Sequence, residues 1–244
     1  MSIRIAHGTT IIFIKNANEV FIGADSKVKN DRELICKIRQ VNNLFFGFAH
    51  YVEIVHPITG IKIFDVVELA TKAGTIKGTI RDKVDYFDKL VEVNLAEVIN
   101  IWHRTLSKDE FRNEFRGTEL VRVVIIGIEN SKPIVLERFY SVDNFDVIPL
   151  RIKTDKFLDN QNAFVISIGT DSAIFPDIKR NKRNIILNPV KSIKRLITLQ
   201  ASATPDDVGP PIDILHIAPG KVGWIQHKPQ CPEIKTEFFK KSKK

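Results

Sequence analysis

The chain contains little cysteine and methionine. Its 244 residues include two cysteines and one methionine. A disulfide scaffold would need more cysteines in a shorter chain, and Cys36 and Cys231 lie far apart without the spacing of metal ligands. We therefore expect a reducing, cytoplasmic environment. Cys36 lies beside Lys37 and is predicted to be a buried strand cysteine rather than a reactive thiol.

The sequence also lacks membrane and cofactor signals. No segment approaches the roughly 20 uninterrupted apolar residues that cross a bilayer, and residues 1–10 lack the apolar core of a signal peptide. We predict a soluble intracellular protein without membrane contact. The histidines are not spaced as metal ligands, and no glycine-rich phosphate loop has a lysine at the required spacing. We therefore expect no metal, no nucleotide and no other cofactor.

No linker rich in Pro, Gly or Ser divides the chain, which predicts a single domain. Hydrophobic residues make up 43% of the sequence, including 16 phenylalanines, and this is enough for a buried core. We place the end of the domain at residue 228, followed by a basic tail at residues 229–244.

The net charge of +8 would suit an acidic partner such as nucleic acid. The excess positive charge is concentrated in two places, without the interleaved aromatic residues that single-strand binders use for stacking. We interpret these places as a solvated loop and tail, and keep a basic nucleic-acid-binding module as an alternative. The two groups are Lys179, Arg180, Lys182 and Arg183, and then Lys240, Lys241, Lys243 and Lys244.

The beginning of the chain predicts four strands. Apolar runs bounded by turn-forming residues predict them, and the short connections with asparagines favour antiparallel hairpins. The four strands are predicted at residues 9–16, 19–28, 35–41 and 44–51.

Two helices are predicted next. Apolar side chains recur every three or four positions within residues 79–107, which predicts the longest helix. Thr79 and Asp82 have the spacing of a capping box, with Asp in place of the usual Glu or Gln. Residues 64–73 predict a shorter helix, and the two helices together should cover one sheet.

The second half of the chain predicts more strands and one more helix. Residues 163–170 form a nearly continuous apolar run, typical of a strand buried on both faces. Asn188 and Pro189 suit the cap and first turn of a helix. The order of elements predicts an α+β fold in which two sheets lie between helices. The strands of this half are predicted at residues 120–130, 133–143, 145–153, 163–170 and 212–218.

Four short motifs occur in one order within residues 8–51. In them the chain resembles a proteasome β-type subunit, a member of the N-terminal-nucleophile hydrolases. A weaker similarity continues through residues 121–143 and 167–172. The resemblance implies a four-layer αββα sandwich. The motifs are Gly8-Thr9-Thr10, Gly23-Ala24-Asp25-Ser26-Lys27, Lys37-Ile38 and Gly47-Phe48-Ala49.

The resemblance also implies an active site and a maturation step. The chain would be cut between Gly8 and Thr9, removing a leader of residues 1–8 and leaving a domain of residues 9–228 with Thr9 as its nucleophile. Lys37 would lie beside Thr9, and Asp25 would hold Lys37 in place. The backbone N–H of His50 would be the oxyanion donor.

General chemistry supports a threonine at a new N-terminus as a nucleophile. A threonine hydroxyl is a weak nucleophile until an adjacent base takes its proton. The α-amino group has an unperturbed pKa of about 7.7–8.0, near neutrality, where a general base is most effective. The ammonium group of Lys37 would favour the neutral amine.

The chain departs from the family pattern at three positions. His50 stands where the family commonly has glycine, so its side chain would intrude on the substrate groove. Thr170 stands where a serine is usual, which preserves a hydroxyl. The usual Arg-Asp-x-x-Ser-Gly-Gly motif is replaced within residues 204–211, so the aspartate that supports the amine is either Asp206 or absent.

Three functional hypotheses follow. The first is a self-processing threonine peptidase that takes a peptide or unfolded protein as substrate, assembles into a homo-oligomeric ring and works with a regulatory or unfoldase partner, as the resemblance implies. The second is a catalytically silent scaffold or interaction subunit of the same fold. The third is the basic nucleic-acid-binding module.

Overall fold

The computed structural model describes residues 2–6, 9–27, 36–55, 59–158, 161–229 and 231–236. Within these ranges the chain forms two antiparallel sheets and five helices, which confirms the predicted α+β class. The strands are β1 (Ser2–Ala6), β2 (Thr10–Lys15), β3 (Val20–Asp25), β4 (Ile38–Val41), β5 (Leu44–Val55), β6 (Lys62–Asp65), β7 (Val121–Glu129), β8 (Lys132–Val142), β9 (Ile152–Phe157), β10 (Phe164–Gly169), β11 (Ile212–Ala218) and β12 (Lys221–Gln226). The helices are α1 (Val66–Thr75), α2 (Ile80–Thr105), α3 (Lys108–Phe115), α4 (Phe175–Leu187) and α5 (Pro189–Ala203).

The first sheet has seven strands and the second has five. In the first sheet, β7 pairs with one edge of β5, and β1 and β4 both pair along the opposite edge. The second sheet has the order β10-β2-β3-β11-β12. The four predicted opening strands are therefore present, but β2 and β3 belong to the second sheet and β4 and β5 to the first.

Helices α1 and α2 pack on the first sheet, as predicted. The capping box of α2 is confirmed, because the Asp82 N–H donates to the Thr79 hydroxyl at 3.2 Å and the Thr79 N–H donates to the Asp82 carboxylate at 2.8 Å. Helix α1 begins later than predicted. The carboxylate of Asp65 accepts two N–H groups of the first turn and caps the helix there, and Phe64 belongs to β6.

The two sheets contact each other through a shared cluster of buried apolar side chains. Phe13 and Ile22 of the second sheet and Phe45 and Val124 of the first sheet belong to this cluster and have no solvent exposure. Strand β10 contributes Phe164 and is mostly buried, as its apolar run predicted.

Helices α4 and α5 pack on the second sheet through Ile178, Ile185 and Ile193. Helix α5 begins at Pro189, as predicted. Helix α4 was not predicted, since its buried residues are Ile178 and Ile185 alone, too few to give a helical period. The basic residues 179–183, expected in a solvated loop, lie exposed on this helix.

Strand β9 begins at Ile152, later than the predicted strand at residues 145–153. Asn100 of α2 accepts the Leu150 N–H and donates to the Leu150 carbonyl, each at 2.9 Å, so the helix satisfies backbone groups that a strand partner would otherwise bind. Three further strands, β1, β6 and β12, were not predicted.

In the described part of the chain, no helix combines the length and the apolar character needed to span a membrane. Gly8 of the predicted cleavage position, together with residues 230 and 237–244 of the predicted tail, lies outside the described residues.

Candidate active site

Three predicted residues come together where β2 begins, β3 ends and β4 begins. Thr10 follows Thr9 and opens β2, and Asp25 ends the antiparallel neighbour β3. One oxygen of Asp25, Oδ1, accepts the Thr10 N–H at 2.8 Å and the ammonium group of Lys37 at 2.8 Å. Because Lys37 leads into β4 of the first sheet, this ion pair connects the two sheets.

The three residues are buried: Thr9 is 3% exposed, Asp25 0% and Lys37 7%. Burial raises the pKa of Asp25 and lowers the pKa of Lys37, and the contact between the two groups opposes both shifts. Asp25 accepts further backbone N–H groups from Lys27 at 3.2 Å and Gly209 at 3.4 Å. Lys37 also donates to the Lys27 carbonyl at 2.6 Å. These bonds favour the charged form of each partner.

Thr170 is also brought to this place. Its N–H donates to the Thr9 carbonyl at 2.7 Å, and its own carbonyl accepts the Thr10 hydroxyl. The preceding residue, Gly169, has a φ of +88°, and a Cβ there would lie 1.9 Å from the Thr9 carbonyl oxygen. Only glycine permits such a close approach. Thr170 therefore holds the Thr9 backbone by main-chain contacts.

His50 lies within β5 with a positive φ of 70°, a conformation that glycine adopts more readily. Its ring Nε2 lies 3.3 Å from a carboxylate oxygen of Glu119, and about a third of its side chain is exposed. Opposite His50, Ala6 of β1 is its register partner. The side chain is therefore on the surface next to β1.

Asp206 lies on an exposed turn and makes no side-chain hydrogen bond within the described ranges. The same turn reaches the site by its backbone instead. Gly209 donates its N–H to Asp25 and accepts the Ser26 N–H at 3.2 Å, and the Pro205 carbonyl accepts the Lys27 ammonium group.

A second buried ion pair, which sequence reasoning missed, lies behind the first. The ammonium group of Lys228 donates to the Asp213 carboxylate and, at 2.6 Å, to the hydroxyl of Ser26. Lys228 is 4% exposed, and Asp213 and Ser26 are 0% exposed. The available signal was Asp213 itself, since a charged residue inside the apolar strand at residues 212–218 requires a buried partner.

The two cysteines form a disulfide across 195 residues, with Cα atoms 5.1 Å apart. The expectation that these two cysteines, far apart in the sequence, are not joined in a disulfide was wrong. Cys36 is buried as predicted, at 3% exposure, but it precedes β4 and is bonded to Cys231 instead of carrying a thiol. The sequence did not reveal this pair, because the two cysteines are distant along the chain. The hairpin of β11 and β12 brings the end of the chain back to β3 and so brings them together.

Among the described residues, one group of side chains has metal-binding chemistry. Donor atoms of Cys36, Asp213 and Cys231 lie within 4.8 Å of one another. The two sulfur atoms are bonded to each other, and the Lys228 ammonium group contacts the carboxylate. In this arrangement the group is not available to a cation.

Residues 2–6, part of the predicted leader, form a strand next to the site. Strand β1 pairs antiparallel with β5, with Ser2 opposite Val55 and Ala6 opposite His50. It therefore continues the edge of β5 along which β4 pairs.

Comparison with known families gives no identification: no family model matches the chain, and no curated protein matches it significantly.

Proposed function

We propose that the chain is a threonine-type endopeptidase of the N-terminal-nucleophile class, self-processed between Gly8 and Thr9, with a four-layer αββα fold. The layer arrangement is supported by the three apolar clusters. One joins α1, α2 and α3 to the first sheet, one joins the two sheets, and one joins α4 and α5 to the second sheet.

The observation on which the proposal rests is the double role of Asp25 Oδ1. It accepts the N–H of the residue after Thr9 and the ammonium group of Lys37, both at 2.8 Å. A single buried oxygen thus fixes the backbone of the proposed nucleophile and the position of a nearby cation. An isolated buried lysine would tend to lose its proton, so the ion pair preserves the charge that the chemistry requires.

The proposed reaction begins when cleavage frees the Thr9 amine. The amine takes the proton of the Thr9 hydroxyl, and the oxygen attacks the carbonyl carbon of the scissile peptide bond. The Lys37 charge stabilises the developing alkoxide, and the His50 N–H donates to the oxyanion. The peptide C–N bond breaks, the amine product takes the proton, and water then hydrolyses the acyl ester at Thr9.

The position of the leader suggests how a substrate binds. An extended peptide can replace β1 along the edge of β5 and form the same antiparallel pairing, since main-chain hydrogen bonds allow strand addition at a sheet edge. Peptide or unfolded protein is the substrate class that fits this edge. Assembly into a homo-oligomeric ring and a regulatory or unfoldase partner complete the proposal and depend on the resemblance alone. The expected reducing, cytoplasmic location is not supported by the Cys36–Cys231 disulfide, since such bonds are rare in that environment.

A series of variants at Thr9 tests the nucleophile. Thr9→Val preserves the shape of the side chain but removes the hydroxyl, and it should abolish both leader cleavage and hydrolysis of short fluorogenic peptides. Thr9→Ser preserves the hydroxyl and should retain both activities in part. Peptidase activity that is unchanged in Thr9→Val would refute the assignment.

The second candidate is a catalytically silent subunit of the same fold. It is favoured by Asp206, which lies on an exposed turn and provides no side-chain support within the described ranges. A silent subunit would not react with an inhibitor directed at N-terminal threonine, whereas the proposed peptidase would form a covalent adduct of the corresponding mass.

A further inference from the structure

The chain after β12 folds back onto the candidate active site. We call residues 227–229 and 231–236 the C-terminal hook. Three kinds of contact hold it: the disulfide between Cys231 and Cys36, the buried contacts of Lys228, and a reciprocal pair of hydrogen bonds between Lys235 and Gln40 of β4, at 2.8 and 3.0 Å. The hook is thereby attached on both sides of Lys37.

Lys228 has a well-defined place in this arrangement. Its backbone N–H donates to Asp213 Oδ1 at 2.9 Å, and its ammonium group contacts the other carboxylate oxygen of Asp213 and the Ser26 hydroxyl. Ser26 directly follows Asp25, the partner of Lys37. The two buried ion pairs are therefore adjacent at the end of β3, with Ser26 between them.

A buried ion pair contributes little to stability by itself, because desolvation offsets the Coulomb attraction. Two such pairs side by side place four charges in the interior at one end of the sheets. This arrangement fixes relative positions more effectively than it stabilises the fold, and the group whose position matters most to the proposed chemistry is the Lys37 ammonium.

We propose that Lys228 and the Cys36–Cys231 disulfide are positioning elements of the active site, which hold Lys37 against Asp25 beside Thr9. The disulfide anchors the residue immediately before Lys37, and Lys228 anchors the residue immediately after Asp25. Neither is required to touch the substrate. This inference rests on the proposed peptidase function.

The charges around Lys37 allow the inference to be tested through the pH dependence of peptide hydrolysis. The charged groups that act on Lys37 within the described residues are Asp25 on β3, Asp213 on β11 and Lys228 in the hook. The Lys228 charge lowers the pKa of Lys37, and the Asp213 charge raises it. A variant that loses one charge should move the alkaline limb of the rate profile in the direction set by that charge.

The test compares Lys228→Met with Asp213→Asn, by peptide hydrolysis across a range of pH. We expect kcat to fall between about tenfold and a hundredfold in both, with KM little changed, since a small displacement of a catalytic group has this effect. The alkaline limb should move to higher pH in Lys228→Met and to lower pH in Asp213→Asn. Lys228→Arg should restore part of kcat. Mere destabilisation would not give opposite shifts, so shifts of one sign or an unchanged kcat in folded variants would overturn the inference.

The disulfide is tested with a double variant, Cys36→Ser with Cys231→Ser. We expect a lower kcat at unchanged KM, with folding checked by circular dichroism. Mass spectrometry of the wild-type protein without reductant should show a mass two hydrogens below that of the reduced chain. Two thiols with a bound zinc ion, or full activity of the double variant, would overturn the assignment.

A second readout separates this inference from the proposed function. Lysine labelled with ¹³C and ¹⁵N allows the Lys37 ammonium group to be titrated by NMR, with Lys37→Arg for assignment. If the wild-type protein has no peptidase activity, the proposed function fails. The positioning inference is still supported if Lys228→Met and Asp213→Asn shift the Lys37 titration in opposite directions, and it fails if neither variant shifts it.

Discussion

Two groups of buried charged side chains lie in different parts of this molecule. One lies beneath helix α2, where Arg138 Nε donates to Asp88 at 3.1 Å and the Tyr140 hydroxyl donates to Asp88 at 2.6 Å. The other lies at the ends of β3 and β11 and contains the pairs Asp25–Lys37 and Asp213–Lys228. Arg138 and Lys228 are both below 5% exposed, so burial alone does not distinguish the groups.

The difference lies in what surrounds each group. Asp88 projects from the middle of a 26-residue helix onto a central strand, amid the largest apolar cluster. Asp25 ends β3 and Lys37 directly precedes β4, and both lie at the Thr9–Thr10 peptide group, whose N–H donates to Asp25 and whose carbonyl accepts from Thr170. Strand ends and loops present side chains to a ligand, whereas a helix packed on a sheet encloses them. We therefore assign a structural role to the first group and a chemical role to the second.

The largest effect on activity is expected from a substitution in the second group. Lys37→Met removes the ammonium group that shares Asp25 Oδ1 with the Thr10 N–H, and we expect peptidase activity to fall about a hundredfold to a thousandfold, as it does when a group that stabilises developing charge is removed. Lys83→Met is the matched control, since Lys83 is another buried lysine and contacts Asn43 at 2.9 Å under α2. Its activity per folded molecule should be unchanged. Equal losses in both variants would show that the loss of any buried lysine is enough, which would contradict a chemical role of Lys37.

The next largest effect is expected on stability, from a substitution in the first group. Asp88→Asn removes the carboxylate that accepts from both Arg138 and Tyr140, and this should lower the free energy of unfolding by about 3 kcal/mol. Denaturant unfolding measures the change, and peptide hydrolysis by the remaining folded protein should match the wild type. A loss of activity without a loss of stability would contradict the structural role.

The pH dependence sharpens the comparison further. Activity should rise as the Thr9 amine loses its proton, near its unperturbed pKa of about 7.7–8.0, and fall as Lys37 loses its proton. Burial lowers the pKa of Lys37 from the ordinary value of 10.5, so the fall should begin below that pH. The profile of kcat/KM measures both limbs.

As pH rises through the range in which Lys37 titrates, the contribution of Lys37 to stability should increase while the activity falls. Because its pKa is lowered on folding, the unfolded chain binds the proton more tightly. The contribution of Lys37 to the free energy of unfolding therefore increases as pH rises through its folded pKa toward 10.5. If the free energy of unfolding fell together with the activity over this pH range, the loss of activity would report unfolding, and the assignment of the alkaline limb to Lys37 would be wrong.

The smallest expected effect lies far from both groups. Thr79→Ala removes the hydroxyl of the capping box of α2 and should cost about 1 kcal/mol of stability. Thermal unfolding checks this, and Thr79→Ser should retain most of the stability. Peptidase activity should not change in either variant, since the cap contributes to α2 and not to the candidate site.

Local features were predictable from the sequence. The cap of α2 depends on two residues three positions apart, and the strands β2, β3 and β5 depend on adjacent apolar residues. Helix α4 was missed because only Ile178 and Ile185 are buried within it and the basic residues 179–183 are exposed. Strand β4 was predicted, but its separation from β2 and β3 into another sheet was not, since sheet membership is decided by tertiary packing.

Within the candidate site, the contact between Asp25 and Lys37, twelve residues apart, was implied by the resemblance and not by their spacing, and the structure contains it. Cys36 and Cys231 are separated by 195 residues, and Lys228 reaches Asp213 by way of a hairpin. The residues around each of these two pairs do not indicate that the chain folds back to bring the partners together. Only the three-dimensional structure shows these contacts.

The mature N-terminal residue tests the central claim most directly. Intact-mass analysis of the purified protein, in the form that hydrolyses peptides, should show a chain that begins at Thr9. An active form that retains residues 1–8 would have no amine at Thr9 and would contradict the proposed mechanism.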